Sequence, residues 1–271
     1  MPVPEEFQTP DGPPVALVTG GARRIGAGFV RALAAAGWEV AIHANRSGLA
    51  AEALAAEVAA SGAPPPRVLA GDLAVWEVPE RLVAACGPRL RLLVNNASLF
   101  EPDGLCDFEA GRWAQMMDVN LRAPALLLRA FAGLVGTLPG ARGLAVNILD
   151  AKLSAMNPDY FSYTVSKVGL AGVTEIAARA LAPAIRVNGI APAVTLTWDA
   201  EGEARGDPAA IARFEKAHRL NPLGRGVTVA DLASALLWLA ATPTVTGQVL
   251  TLDAGQRFLG LPRDVSHMVG A

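Results

Sequence analysis

The segment VALVTGGARRIG, from Val15 to Gly26, decides the fold. It opens with four apolar residues, ends on glycines and runs directly into AGFVRALAAAGW, whose apolar residues recur at helical spacing. A strand that turns on glycine into a helix brings backbone N–H groups close to whatever sits over the turn. The helix N-terminus adds a partial positive charge there. The segment is therefore read as a strand, a pyrophosphate-binding turn and a helix, with Thr19, Gly20 and Gly26 at the turn. A triphosphate loop would need Lys and then Ser or Thr after its last glycine. Here Ala27 and Gly28 follow Gly26, which excludes it. One feature is unusual: Arg23 and Arg24 stand where such turns carry small residues.

Outward from this turn, strand and helix patterns alternate to the end of the chain. EVAIHAN, RVLAGDL, RLLVNNA, GLAVNIL, IRVNGIAP and QVLTLD follow VALVTG as apolar strands. Helices are expected over Ser47 to Ala60, Arg112 to Leu134 (bent at Pro124), Ser162 to Leu181 and Val229 to Leu239. Apolar strands separated by helices imply an α/β fold: a Rossmann-type, doubly wound, seven-stranded parallel sheet in three layers. Residues 1–14 read as a flexible leader, residues 15–271 as one domain, and 195–221 as a polar, irregular segment covering the substrate site, with Trp198 in it.

Composition narrows the function. The chain has 271 residues, 52% apolar and 18% charged, with a net charge of -2. No basic surface points to nucleic acid, and no leader has the form of a signal peptide. Leu232 to Leu252 is uncharged, but Pro243, Gly247 and Gln248 break it, so no membrane partner is expected. Two cysteines, Cys86 and Cys106, and three histidines, His43, His218 and His267, form no disulfide framework and no metal spacing. The expectation is a cytoplasmic protein without a metal.

In such folds ligands bind beyond the carboxyl ends of the strands. A site for NAD places a carboxylate after the second strand to hold the ribose 2′-hydroxyl. Here Arg46 and Ser47 stand there, a guanidinium and a hydroxyl suited to a 2′-phosphate and hence to NADPH. Asp72, after the third strand, is placed either to meet the adenine edge or to cap a helix. Tyr163 and Lys167, in YTVSK, share one helix face. A lysine beside a phenol lowers its pKa and makes it a general acid for an atom receiving hydride.

The ordered set Thr19-Gly20…Gly26, Asp72, NNA at Asn95 to Ala97, Asn120 in MDVNL, Tyr163 with Lys167, and RVNGIAP resembles the short-chain dehydrogenase/reductase family from Val15 to about Gln256. The resemblance implies hydride transfer from a nicotinamide cofactor, with Tyr163 as acid and Lys167 on the nicotinamide ribose. Asn120 would link the lysine to a proton relay. Cofactor contacts are also implied at Ile25, Leu73, Asn96, Ala97, Ser98 and Pro192, as is a homotetramer built through helix faces.

Three positions depart from the family pattern. Arg24 replaces a small residue, Asp150 stands where a serine is usual, and Pro192-Ala193 replaces Pro-Gly. TGGARRIG, HANRS, NNASLF and ILD before YTVSK together resemble the pteridine reductases and the related dihydromonapterin reductases. That branch implies a pterin stacked between Phe100 and the nicotinamide, Ser98 at the cofactor phosphate or the pterin edge, and Arg24 reaching both. Asp150 would relay a proton through Tyr163 to a ring nitrogen. Plainer roles stay open: loop packing for Phe100, a strand-end turn for Asp150, a helix bend for Asn120. So do a carbonyl or quinone reductase of the same fold and a non-catalytic NADP(H) sensor.

Overall fold

The structure is a computed structural model, and it describes residues 1–195 and 208–269. Among the described residues, seven strands form one sheet: β1 (Val15–Val18), β2 (Glu39–Ala44), β3 (Arg67–Ala70), β4 (Leu90–Asn95), β5 (Gly143–Ile148), β6 (Ile185–Pro192) and β7 (Val249–Leu252). Their order is β3-β2-β1-β4-β5-β6-β7, and every neighbouring pair is parallel. The order reverses between β1 and β4, so the crevice for a ligand opens beyond Val18 and Asn95.

Alternate residues of each strand face opposite ways, and both sides are covered. Ala16, Val18, Val40, Ile42, Leu92 and Val94 pack with α1 (Arg24–Ala35), α2 (Gly48–Ala60) and α8 (Val229–Ala241). Val15, Leu17, Ala41, Leu90 and Leu93 pack with α3 (Val78–Cys86), α5 (Ala123–Gly136) and the end of α6 (Phe161–Leu181). This double burial is why the strands read as continuous apolar runs. Helix α8 starts where its sequence says it should. The Thr228 hydroxyl accepts from the Asp231 N–H at 3.1 Å, and Asp231 accepts from the Thr228 N–H at 2.8 Å.

Three expectations need correction. The first residues are not a loose leader. Glu5–Phe7 forms a 3-10 turn, Phe7 is fully buried with its ring 5.5 Å from that of Trp38, and Glu6 pairs with Arg186 at 2.9 Å. A buried aromatic and a half-buried ion pair hold this segment down, features that the many prolines around it conceal.

The long helical stretch departs from α-helical geometry before Pro124, not at it. Helix α4 (Ala110–Met117) passes into α5 through a π turn over Asp118–Arg122, and Pro124 follows that turn directly, at the second residue of α5. Ala110–Gly136 is long and apolar enough to cross a membrane by length and composition alone, but Leu127, Phe131 and Val135 are buried in the core.

The polar segment 195–221 is not irregular throughout. It contains α7 (Pro208–Arg219), while Trp198 lies outside the described residues. A short α9 (Val265–Met268) follows β7, and Val265 and Val269 pack against Ala217 of α7.

Candidate active site

The turn after β1 is closed as tightly as glycine permits. Gly20 has φ +60°, and a Cβ there would lie 2.9 Å from the Ala97 Cα. A Cβ on Gly26 would lie 2.2 Å from the Gly20 carbonyl oxygen and 2.8 Å from Asn96 Nδ2. Thr19 and Asn96 clip the β1 and β4 ends together. Thr19 Oγ1 accepts from the N–H groups of Asn96 and Ala97 at 2.9 and 3.0 Å, and Asn96 Nδ2 donates to the carbonyls of Thr19 and Gly20 at 2.9 and 3.1 Å. The cradle that bare glycine leaves at the head of α1 fits a pyrophosphate. Arg24, the first residue of α1, is exposed and holds φ at 55°, a left-handed backbone uncommon for a residue with a side chain. Ile25 behind it is half-buried.

His43 completes this turn, and sequence reasoning passed over it. It is buried in β2, accepts from the Gly20 N–H through Nδ1 at 3.2 Å and contacts the Gly71 carbonyl through Nε2 at 3.0 Å. The carbonyl can only accept, so Nε2 carries the hydrogen and the ring is neutral. Burial lowers its pKa and keeps it so. A histidine inside an otherwise apolar strand was the one available signal.

At the end of β2, Arg46 is exposed and Ser47 half-buried at the head of α2. No carboxylate follows the strand. A guanidinium, a hydroxyl and a helix N-terminus make a donor set that fits the 2′-phosphate of NADP. Asp72 accepts from the Ala74 N–H at 2.9 Å and so fastens the turn after β3, with Leu73 buried beside it.

The catalytic candidates converge beyond β5. The Tyr163 hydroxyl donates to Asp150 Oδ2 at 2.8 Å, and Asp150 Oδ1 accepts from the Lys152 N–H at 2.8 Å. Lys167 Nζ donates to the Ile148 carbonyl at 2.8 Å and lies 5.5 Å from the centre of the Tyr163 ring. Tyr163 and Lys167 are almost wholly buried.

The electrostatics reverse the expectation drawn from the spacing alone. Burial, then the charge and hydrogen bond of Asp150, push the Tyr163 phenol well above its ordinary value rather than below it. The carboxylate contacts the hydroxyl directly while the ammonium is bonded elsewhere, so the protonated phenol is the favoured form. Burial also raises Asp150, while Lys167 is lowered to about 8, again by burial. The arrangement holds a proton at Tyr163, with Asp150 one hydrogen bond behind it.

Asn120 lies at the π turn. Its Oδ1 accepts from the Leu99 N–H at 2.7 Å, and its Nδ2 faces the Leu99 carbonyl at 2.9 Å and Ser166 Oγ at 3.1 Å. It thus pins the loop after β4 to α6 from within the π turn. Phe100 in that loop stacks on Tyr160 at 4.2 Å and 18° and meets Tyr163 edge-on at 4.7 Å and 89°. Ser98 is exposed beside it, and Pro192 ends β6 in a buried position. Asp150, Tyr163, Lys167 and Phe100 therefore form one site. Arg24, Arg46 and Ser47 stand at the ends of β1 and β2, on the cofactor side.

The fold has counterparts among known proteins. Residues 20–257 match a family model described as an enoyl-(acyl carrier protein) reductase. The chain belongs to the short-chain dehydrogenase/reductase family. It is 31% identical to a 3-oxoacyl-[acyl-carrier-protein] reductase of Synechocystis, over 89% of this chain and 96% of that one. It is also 31% identical to pteridine reductase 1 of Leishmania tarentolae, with the same shares covered. Among solved structures, it is similar to FolM alternative dihydrofolate reductase 1 from Brucella canis, complexed with NADP. That likeness has a TM-score of 0.78, 37% identity, and coverage of 90% and 94%. As a short-chain dehydrogenase/reductase, this chain is an NADP-dependent oxidoreductase. A nicotinamide held here would supply hydride, and Tyr163 is the group placed to give a proton.

Proposed function

We propose that this short-chain dehydrogenase/reductase reduces pterins with NADPH, taking a dihydropterin such as dihydrobiopterin or dihydromonapterin, or dihydrofolate. The observation that carries this reading is the Tyr163–Asp150 hydrogen bond, 2.8 Å long, beside the exposed ring of Phe100. A serine hydroxyl would polarise a carbonyl. A carboxyl behind the phenol instead restores its proton, which suits a ring nitrogen of the substrate. In this reading the ring carbon takes hydride, and the neighbouring nitrogen takes the Tyr163 proton. Asp150, after taking a proton from solvent, returns one to the Tyr163 phenolate, and Lys167 orients the nicotinamide ribose. Phe100 covers the flat pterin face, and Ser98 and Arg24 meet its polar edge. The pteridine reductase and the FolM alternative dihydrofolate reductase among the similar proteins support the assignment. A homotetramer through helix faces goes with this reading.

The test is NADPH consumption with biopterin, monapterin and folate forms, with menadione and a ketone as controls. Turnover of the dihydropterins with little of the ketone is expected. Brisk ketone reduction with no pterin turnover refutes the assignment.

A carbonyl reductase is the second reading, favoured by the 3-oxoacyl-[acyl-carrier-protein] reductase among the similar proteins. Asp150→Ser separates the two: a gain of ketone reduction with pterin turnover intact supports the second.

A further inference from the structure

Asp150 sits at the start of the segment that joins β5 to α6, and the C-terminal residues grip that segment at several points. Arg263 contacts both carboxylate oxygens of Asp159, with Nε to Oδ2 at 2.8 Å and Nη2 to Oδ1 at 2.7 Å. The Asp264 N–H donates to Asp159 Oδ2 at 2.7 Å. Lys152 Nζ donates to the Asp159 carbonyl and lies 3.7 Å from Asp264 Oδ2. The Lys152 N–H in turn holds Asp150 Oδ1. A continuous series of polar contacts thus runs from Arg263 to the Tyr163 hydroxyl. The aromatic rings follow the same route: Tyr160 stacks on His267 at 6.2 Å as well as on Phe100.

An exposed arginine–carboxylate pair contributes little. The Arg263 side chain is 54% exposed, but that of Asp159 is only 12% exposed and takes bonds from both Arg263 and a backbone N–H. Lys152 is 9% exposed, so its ammonium has few sites other than Asp159 and Asp264 to satisfy it. Val265 and Val269 anchor the C-terminal segment from behind, against Ala217 of α7. Catalytic groups need placement to within about 0.5 Å, and neighbouring side chains must supply it.

We propose that Arg263 and Asp264 are positioning residues of the catalytic site, holding the Asp150 carboxyl in hydrogen-bonding range of Tyr163 through Asp159 and Lys152. The proposal rests on the proton relay of the proposed function. Asp264 also acts by charge. Asp150 is faced by Tyr163, Lys167, Lys152 and Asp264, and of these Asp264 favours the protonated forms of both Asp150 and Tyr163.

The experiment compares Arg263→Ala, Arg263→Lys and Asp264→Asn with the unaltered protein. Dihydrobiopterin is the substrate, or menadione if pterins are not turned over. Arg263→Ala should lower kcat about tenfold, as small misplacements do, with NADPH affinity unchanged, and Arg263→Lys should restore most of it. Asp264→Asn should move to lower pH the limb on which kcat falls as Asp150 and Tyr163 lose their protons, which loosening alone does not do. Amide hydrogen exchange over residues 150–160 needs no substrate and should quicken in Arg263→Ala. Unchanged exchange and unchanged kcat overturn the proposal. So does a parallel loss of kcat, NADPH affinity and Tm that lysine does not rescue. Faster exchange, together with a lowered kcat on menadione and no turnover of any pterin, supports the positioning role while refuting the pterin reading.

Discussion

The Tyr163 hydroxyl and the Asp150 carboxylate are joined directly, at 2.8 Å, while the Lys167 ammonium on the same helix face is bonded to the Ile148 carbonyl. The phenol is thereby kept as a proton donor with a carboxyl in reserve. Lysine's part is to fix position and charge around that pair, and its own proton becomes easy to lose.

Tyr163→Phe removes the donor and leaves the ring. General acids contribute about 10²–10⁴-fold, and a loss of kcat in that range is expected. The NADPH dissociation constant, measured by fluorescence titration, should not change. If every measurable function survives this substitution, the chain is a sensor of NADP(H) rather than a catalyst.

Burial lowers Lys167 to about 8, so turnover should fall as pH rises through about 8 and the ammonium is lost. Unfolding is not the cause of such a limb. Between about 8 and the ordinary 10.5 the unfolded chain holds more of this proton than the folded one, so Lys167's contribution to stability rises with pH there. Parallel kcat and Tm profiles from pH 6 to 10 check both signs. Lys167→Met should abolish the limb along with most of the activity.

Gly26→Ala tests the cradle. Its Cβ would stand 2.2 Å from the Gly20 carbonyl oxygen, a backbone atom that cannot swing aside. Overpacking of this kind costs about 1–3 kcal/mol, and it displaces the backbone that faces the pyrophosphate. A lower Tm and NADPH binding weakened by an order of magnitude or more are expected, the second by isothermal titration calorimetry.

Arg46→Asp replaces the guanidinium beyond β2 with the carboxylate that an NAD site places there. Charge-assisted hydrogen bonds are worth about 1.5–3 kcal/mol, so NADPH binding should weaken by roughly 10–100-fold. NADH binding should hold or improve, because its 2′-hydroxyl is a donor to the new carboxylate. Equal losses for both cofactors would show that Arg46 does not meet the 2′-phosphate.

The layered sheet was legible because the five strands inside β3 and β7 are buried on both faces and the Gly20-Gly21 turn marks the end of β1. Tyr163, Lys167 and the glycines could be placed from spacing, since four residues along a helix and a turn after a strand have fixed geometry. What spacing could not convey was contact order in space. That Asp150, and not Lys167, touches the Tyr163 hydroxyl depends on a 3-10 turn over Ala151–Ser154 that the Asp150 side chain itself caps. His43 stayed hidden because its partners, Gly20 and Gly71, are backbone groups far away in sequence. The π turn at Asn120 has no sequence period, and Pro124 drew attention from it. The grip of Arg263 on Asp159 spans more than a hundred residues.

The same reasoning applies at the other end of the chain, where Phe7 is fully buried, packs against Trp38, and lies under the Arg186 guanidinium at 5.9 Å. Arg186 is pinned in turn by Glu6 and by the carbonyls of Leu239 and Ala240 at the end of α8. The segment therefore closes one edge of the α1 and α8 layer, far from Tyr163 in function. Phe7→Ala empties that place, and such truncations cost about 3–5 kcal/mol. For a chain of this size each kcal/mol lowers Tm by about 2–4 °C. A fall of that order is expected in a thermal scan, with kcat and NADPH affinity unchanged at 25 °C. An unchanged Tm would mean that the first residues contribute nothing to the core.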